Sequence, residues 1–382
     1  VVAGNLANWA LTVAQRDWVI DPERGRLLWV GSGAAPTPLV GHYYGFSGSI
    51  GAGGYDRADS LTTSANTTLS GGGTIAVSST ATEVVEIADS LSYGPVGDRT
   101  SIAALEIRAA NRRRPYLVLA ANWQLDTGAS TESTLLIDGL WLGASAASLG
   151  VELHGDYDTV TLRHVTLDPG GTDAQGQVIH PVALRIVGNV ENLVIEQSIL
   201  GPIHVATGDT IERVSISDSI VDGRNGPGGV AIGAAAGEVS FERVTVFGEL
   251  DVEWLYASEA LVTGFADVTN TQEGCFRFSA VLDRRDPLQP VSPANPQSRV
   301  PRAFESNFVS DFAGYFTSTV FGKPGYAQLS EAAPETLGRG AENGSEIGAF
   351  CSLLNPIEAD SLRAKVDEFA PFGILPFYVF ET

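Results

Sequence analysis

Apolar and polar residues alternate in short stretches between Leu135 and Leu261, and the same pattern returns several times. The stretches read LLIDGLWL, VTLRHVTL, LVIEQSIL, VSISDSIV, VSFERVTV and ALVTGFAD. A period of two with many valine, isoleucine and threonine residues predicts β-strands. The matching apolar positions are spaced by 25, 33, 21, 25 and 20 residues, and they are Ile137, Leu162, Ile195, Ile216, Phe241 and Leu261. Repeats of this length predict stacked units that bury their apolar faces against one another.

A second set of strands falls between the first, and Gly, Asp or Asn supplies a bend after nearly every strand. This set reads GVELHG from Gly150, ALRIVG from Ala183, PIHVATG from Pro202, GVAIG from Gly229 and GELDVEWL from Gly248. The pattern predicts an all-β protein built as a right-handed parallel β-helix, a solenoid of stacked turns. An antiparallel sandwich, with a turn signal every ~8–12 residues, is the alternative.

Composition divides the chain into three parts. Residues 1–60 predict a small N-terminal lead-in module, and residues 61–282 predict the parallel β-helix. Residues 283–382 begin as a Pro-rich irregular linker and continue as a mixed C-terminal cap. Such a cap is expected because an open end of parallel strands would recruit other chains.

The C-terminal part is predicted to contain one helix. Asn355 is followed by Pro356 and Glu358, which together are typical of the first turn of a helix. An apolar stripe follows at Leu362, Val366 and Phe369.

Charge and composition exclude several classes of protein. The net charge of −22 argues against nucleic-acid binding, which depends on cationic surface. No run of about 18 apolar residues predicts a membrane span, and no signal peptide is visible after Val1. Cys275 and Cys351 are predicted to be free thiols rather than a bridge. No cofactor is expected, although an acidic surface is able to hold Ca²⁺.

Several motifs resemble one family. HYYGFSGSIGAGGYDR at 42–57, QEGCFRFS at 272–279 and FGKPGYAQLS with GAENGSEIGAF within 321–350 are similar to those of bacterial phage tail or baseplate-associated proteins. These proteins are encoded near phage-tail-like contractile injection systems, and they imply a pectate-lyase-like β-helix. The resemblance implies further sequence ahead of Val1, and a location in the bacterial cytoplasm before assembly or on an extracellular particle. The family's additional Cys is missing from the Arg-rich stretch after 282, so no cysteine pairing is expected there.

An enzyme is the main alternative, because many β-helices cut acidic polysaccharides. Glycoside hydrolases need carboxylates on adjacent turns, and lyases use carboxylates with an arginine base. The candidate carboxylates here are Glu196, Asp218 and Glu242, and the candidate base is Arg243. Aligned strands would, however, place Arg163, Glu196, Ser217 and Glu242 in one file. A file of mixed charge and hydroxyl is typical of a solvated wall that avoids like-charge stacking. The sequence favours this interpretation over catalysis.

The sequence therefore predicts a non-catalytic structural or binding component, oligomeric or in complex with other assembly proteins. Two alternatives stay open, a lyase or hydrolase and a carbohydrate-binding module. A module would use exposed aromatic residues, for which the candidates are Trp123, Trp141, Trp254 and Tyr256. Partner contacts are predicted in two aromatic segments, at Tyr43, Tyr44, Phe46 and Tyr55, and at Phe372, Phe377, Tyr378 and Phe380.

Overall fold

The computed structural model describes most of the chain between residues 48 and 371. The described ranges are 2–3, 18–21, 26–31, 33–35, 37, 48–130, 132–172, 176–233, 236–284, 297–323, 325–371 and 373. A small N-terminal sheet contains β1 (Val2–Ala3), β2 (Trp18–Asp21) and β3 (Arg26–Trp29). β2 and β3 pair antiparallel, with Trp18 opposite Trp29 and Asp21 opposite Arg26.

One large sheet contains 25 strands within the described residues. Its first members are β4 (Thr67–Leu69), β5 (Gly73–Ile75), β6 (Thr82–Ile87), β7 (Ser92–Val96), β8 (Ala104–Ala109), β9 (Tyr116–Leu119), β10 (Trp123–Asp126), β11 (Ser133–Asp138), β12 (Trp141–Ala144), β13 (Gly150–Arg163) and β14 (Thr166–Leu167). A separate hairpin follows, formed by β15 (Gly171–Thr172) and β16 (Val178–Ile179).

The large sheet continues to the end of the repeat region and beyond it. Its remaining members are β17 (Ala183–Glu196), β18 (Ile199–Leu200), β19 (Ile203–Val205), β20 (Thr210–Asp222), β21 (Val230–Ile232), β22 (Ala236–Phe247), β23 (Glu249–Val252), β24 (Trp254–Ser258), β25 (Leu261–Val262), β26 (Ala266–Val268), β27 (Cys275–Arg277), β28 (Ala280–Leu282), β29 (Ala303–Phe304) and β30 (Asn307–Val309). The protein is therefore mostly β, as predicted, with a large and mostly parallel sheet.

Parallel pairing arranges these strands in three files. The first file is β4, β6, β8, β11, β13, β17, β20, β22, β24, β27 and β29. The second file is β5, β7, β9, β12, β14, β18, the ends of β20 and β22, then β25, β28 and β30. The third file runs from β10 through the first halves of β13 and β17 to β19, β21, β23 and β26.

The predicted apolar repeat is in register in the first file over five of its six positions. Ile137, Leu162, Ile195, Ile216 and Phe241 are successive partners, and all five are buried. The sixth assignment, Leu261, is wrong: Phe241 pairs with Ala257, whereas Leu261 pairs with Thr245 in the second file. The stretch GELDVEWL, predicted as one strand, is divided between β23 and β24. Because a single residue separates them, the sequence gives no visible break.

A sharp corner joins the first file to the second. The corner residues have left-handed backbone, with φ between 44° and 57°, and they are His164, Gln197, Asp218, Arg243 and Glu259. Buried serine hydroxyls accept hydrogen bonds from the backbone of the preceding corner: Val165 N donates to Ser198 Oγ at 3.0 Å, and Ser198 N donates to Ser219 Oγ at 2.9 Å. The buried serines thus satisfy backbone N–H groups beside the corner.

The outward side of the second file is covered by two distant segments. Its outward row is formed by register partners, namely Tyr116, Trp141, Thr166, Ile199, Ile220, Thr245, Leu261 and Ala280. Residues 48–60 contact the row through a hydrogen bond from Ala52 N to Thr166 Oγ1 at 2.9 Å. Residues 312–353 form an apolar cluster on it, in which the rings of Phe247 and Phe316 lie 5.0 Å apart.

Short helices complete the described chain. α1 spans Glu335–Gly338, α2 spans Asn355–Phe369, and 3-10 turns occur at Ala58–Ser60, Pro227–Gly229 and Cys351–Leu353. α2 confirms the predicted helix. Its apolar stripe is not buried against the described residues, because Leu362 is 36% exposed and Phe369 is 69% exposed.

Candidate functional site

The carboxylates proposed for catalysis lie on the first file, where Arg243 pairs with two of the three, Asp218 and Glu242. Asp218 and Arg243 form two hydrogen bonds, Nε to Oδ1 at 2.7 Å and Nη2 to Oδ2 at 2.8 Å. Glu242 contacts the same guanidinium. Hydrogen bonding to Asp218 contributes most to raising the pKa of Arg243 above its ordinary value. Glu196 lies between Arg163 and Ser217 in register, as predicted. These four residues do not form a pair of free carboxylates.

A buried ion cluster is centred on Asp138, at the end of β11. Arg57 Nη1 lies 2.8 Å from Asp138 Oδ1, and both side chains are almost fully buried. Arg163 Nη2 lies 3.2 Å from Oδ2, and Ser60 Oγ donates to Oδ2 at 3.0 Å. His164 Nδ1 lies 3.4 Å from Oδ1. Because Arg57 and Ser60 belong to the covering segment, the cluster fastens that segment to the sheet.

The ionised form of Asp138 is the favoured one. Burial is the largest effect on its pKa and raises it, but the hydrogen bond from His164 and the charges of Arg57 and Arg163 outweigh burial. The pKa of Asp138 therefore lies below its ordinary value. Tyr55, predicted as a partner contact, is half-buried here: its hydroxyl donates to the carbonyl of Gly51 and its ring lies 5.5 Å from that of His164.

A pocket of about 340 Å³ opens at the start of the same outward row, beyond the region that residues 48–60 cover. Its lining combines one carboxyl with aromatic and aliphatic side chains, namely Tyr116, Trp141, Ala144, Asp168, Val178, Ile179 and His180. Tyr116 on β9 and Trp141 on β12 are register partners. Asp168 follows β14 and lies two residues beyond Thr166, the next partner in the row. Period two therefore brings all three side chains to one face.

Close packing fixes the polar groups of this pocket. Trp141 Nε1 donates to Asp168 Oδ1 at 2.5 Å, and Tyr116 Oη lies 3.5 Å from Oδ2. Gly143 separates these groups, and a Cβ there would overlap the Tyr116 hydroxyl and lie 2.7 Å from Asp168 Oδ2. Phe321, from the C-terminal covering segment, packs edge-on against Trp141 at 6.2 Å. Residues distant in the sequence thus build the two sides of the pocket.

Asp168 differs from the other buried aspartates. Asp138 pairs with Arg57 and Arg163, and Asp222 pairs with Arg224 at 2.7 Å. Within the described part of the chain, no ion pair joins Asp168 to an arginine, lysine or histidine. Burial raises the pKa of Asp168 from 3.8 to about 6, against the opposing hydrogen bonds from Trp141 and Tyr116.

The neighbouring tyrosine responds to the same burial and charge. Burial, followed by the nearby carboxylate of Asp168, raises the pKa of Tyr116 from 10.0 to about 12. Its hydroxyl therefore stays protonated near neutral pH and is available as a donor to Asp168. A carboxyl of perturbed pKa in a lined cleft is a common mark of a functional site.

Only part of this pocket is predictable from the sequence. Trp141 was among the aromatic candidates, but Asp168 was not, because LDPGG is typical of a turn. The other aromatic candidates lie elsewhere: Trp123 is buried and donates to Gly97 O at 3.1 Å, Trp254 is half-buried, and Tyr256 is 37% exposed.

Seven predicted partner contacts lie outside the described residues, and they are Tyr43, Tyr44, Phe46, Phe372, Phe377, Tyr378 and Phe380. Both cysteines are free thiols, with Cys351 buried and Cys275 half-buried. Among the described side chains, no group of three or more His, Cys, Asp and Glu is arranged to hold a metal ion. No helix in the described ranges is long and apolar enough to cross a membrane.

Comparison of the whole chain with protein-family models, with curated proteins and with solved structures finds no match in any of the three.

Proposed function

We propose that this chain is a non-catalytic structural and binding protein whose parallel strands wind into a right-handed β-helix. Three parallel files in one chain, with apolar partners in register, support this winding. The first file contains 11 strands within the described ranges. At about 4.8 Å per step, it would extend for about 48 Å. A rod of this length suits a spacer or a platform for partners.

The pairing of Asp218 with Arg243 is the observation on which the non-catalytic role depends. A glycosidase needs one carboxyl that donates a proton and a second that acts as base or nucleophile, about 5–9.5 Å away. On this wall, the guanidinium of Arg243 binds both Asp218 and Glu242. In the pocket, Asp168 is the only carboxyl among the described lining residues. Neither place offers the pair that hydrolysis requires.

The resemblance of three motifs to phage tail and baseplate-associated proteins supports a more specific proposal. We propose that the rod is part of a phage-tail-like contractile assembly and binds other proteins of that assembly.

An activity assay tests the absence of catalysis. The purified chain is incubated with acidic and neutral polysaccharides, and the release of reducing ends and of unsaturated products is measured. No product above the buffer control is expected, and Glu196→Gln and Asp218→Asn should give the same trace as the unmodified chain. Product that disappears in either variant would establish an enzyme instead.

Two measurements test the rod and its partners. Small-angle scattering should give a radius of gyration above the value of about 21 Å expected for a compact domain of 382 residues. Capture from the native bacterial cell, with the chain as bait, should recover sheath, tube or baseplate proteins. A compact particle that recovers none of them would contradict the proposal.

A further inference from the structure

The pocket beside β12 contains a buried negative charge that the described protein does not neutralise. Asp168 is 4% exposed, and its two protein contacts, Trp141 Nε1 and Tyr116 Oη, are neutral donors. Asp138 and Asp222 are buried to a similar degree, and arginine neutralises both. Two other buried aspartates of this fold are thus paired with arginine, whereas Asp168 faces a pocket.

A charge in this position favours one class of ligand. Taking a carboxylate out of water is costly unless an opposite charge approaches it. The rings of Tyr116 and Trp141 form an adjacent wall, and their centroids lie 5.4 Å apart in an edge-to-face arrangement. Aromatic rings attract cations through their quadrupole, and rings grouped around one position recognise ammonium groups. A carboxylate and two aromatic rings are thus complementary to the same kind of group.

We infer that this pocket binds a small organic cation, with its ammonium group beside the Asp168 carboxylate and the rings of Tyr116 and Trp141. The inference stands apart from the proposed structural role, because it needs only the pocket. The pocket would give the proposed rod a site for one specific class of ligand.

The size and the lining of the pocket limit the ligand. A cavity of about 340 Å³ is at the small end of the range for ligand sites. Val178 and Ile179 supply an apolar side, which suits a short carbon skeleton attached to the ammonium group. A bare metal ion fits poorly, because such ions prefer several oxygen ligands, and Asp168 is the only carboxyl in the described lining.

Two other ionisable groups face this region and affect its charge. The guanidinium of Arg114 lies over the Trp141 ring at 4.9 Å from the centroid, but this side chain is exposed and its charge is screened by water. His180 lines the pocket itself. Because His180 is an ionisable side chain in the lining, its effect on binding is separated from that of Asp168 by substitution.

Calorimetric titration of the full chain tests the inference with matched probes. Choline carries a permanent positive charge, and 3,3-dimethylbutan-1-ol has the same shape without the charge. We expect choline to bind at least about tenfold more tightly than the neutral analogue. Asp168→Asn keeps the shape of the side chain and should lose at least about tenfold in choline affinity. The control Asp251→Asn removes an exposed carboxylate of β23 and should leave that affinity unchanged.

The pH profile identifies the responsible group. Choline stays charged at every pH, so its affinity should fall as pH decreases below about 6, where Asp168 gains its proton. His180→Gln should retain this fall, because the variant keeps the carboxyl. If His180→Gln abolishes the fall, Asp168 is not the responsible group and the inference is wrong.

Other outcomes would also overturn the inference. Equal binding of choline and its neutral analogue, unaffected by Asp168→Asn, would show an apolar pocket. Binding of a neutral sugar such as glucose without binding of choline would favour a saccharide site instead. Absence of binding by all three probes at millimolar concentration would show that the pocket does not take small organic cations. None of these results bears on the polysaccharide assay or on the capture of assembly proteins.

Discussion

Two buried aspartates of this protein have similar exposure and opposite electrostatic environments. Asp138 contacts two arginines, and its pKa lies below the ordinary value. Asp168 contacts neutral donors, and burial raises its pKa to about 6. Asp138 ends β11 and Asp168 follows β14, both in the same large sheet, and burial alone does not distinguish them. The difference is whether a distant part of the chain brings a cation to the carboxylate.

A different covering segment reaches each of the two aspartates, and only one segment brings a cation. Arg57 comes from the covering segment of residues 48–60, so its ion pair with Asp138 holds that segment in place. The covering segment that reaches the Asp168 pocket brings the ring of Phe321 to Trp141 instead of a cation. A buried carboxylate left without a charged partner lowers stability, and such costs are typical of functional sites.

The largest loss of stability is expected on substitution of Asp138. Asp138→Ala would leave the buried guanidinium of Arg57 without its partner, and removing one member of a buried pair costs about 3–5 kcal/mol. Denaturation in urea, followed by circular dichroism, measures this loss. The control Asp267→Ala breaks an exposed pair with Arg299 and should not change stability measurably. Equal results for the two variants would contradict the structural role of the Asp138 cluster.

Alanine substitution of the glycine beside each site should give the next largest difference in the free energy of unfolding. Gly139 has φ +76°, and a Cβ there would overlap the guanidinium of Arg57. Gly139→Ala should therefore lower the free energy of unfolding by about 3 kcal/mol. Gly143 has no left-handed backbone, and its Cβ would meet only the ends of the Tyr116 and Asp168 side chains. Gly143→Ala should cost about 1 kcal/mol and weaken choline binding.

The same urea measurement compares both alanine variants in one experiment. A larger loss at Gly143 than at Gly139 would show that the pocket, rather than the Asp138 cluster, is the more rigid of the two regions.

Asp168→Asn should raise the free energy of unfolding instead of lowering it, because the substitution removes an unpaired buried charge. With a pKa of about 6 in the folded state and 3.8 unfolded, ionisation of Asp168 destabilises the folded state at neutral pH. The variant should gain up to about 3 kcal/mol at pH 7, since one pKa unit corresponds to about 1.4 kcal/mol. In the unmodified chain, the stability that comes with a protonated Asp168 is fully present below pH 3.8, and it is lost as pH rises through about 6.

Urea denaturation at pH 4 and pH 7 measures this difference between the two chains. The advantage of Asp168→Asn should be small at pH 4 and full at pH 7. An advantage that does not change with pH would show that Asp168 is not the titrating group.

The smallest effect is expected for Asp218→Asn, at the partly exposed corner of the first file. Its pair with Arg243 is about one-fifth exposed on each side, so the loss should be about 1 kcal/mol. Thermal unfolding of this variant beside the Asp138 variant measures the contrast. A loss as large as that at Asp138 would show that the corner, too, depends on a buried charge.

The sequence predicted the strands well because alternation is a local property. Ile137, Leu162, Ile195 and Ile216 are in register as predicted, since each occupies the same place in the alternating pattern of its strand. Leu261 was assigned to the wrong file, because one residue is enough for a turn between β23 and β24. The helix over Asn355–Phe369 was also predicted from its first turn, but the exposure of its apolar stripe was not.

The candidate site was less predictable. Asp168 is part of a turn sequence, and its burial depends on the register that places β14 beside β12. The aromatic wall could be suspected from Trp141, but its contact with Phe321 joins residues 180 positions apart. No local pattern encodes such a contact.

The sequence by itself determined the β-strands, their repetition and the mixed charge of the first-file wall. These features follow from the alternation of side chains, which depends only on neighbouring residues. The tertiary structure decided which buried carboxylate receives an arginine and which remains open to a pocket. The reason is that electrostatic pairing acts over a few ångströms in space, and only the folded chain brings Arg57 to Asp138 and leaves Asp168 among neutral groups.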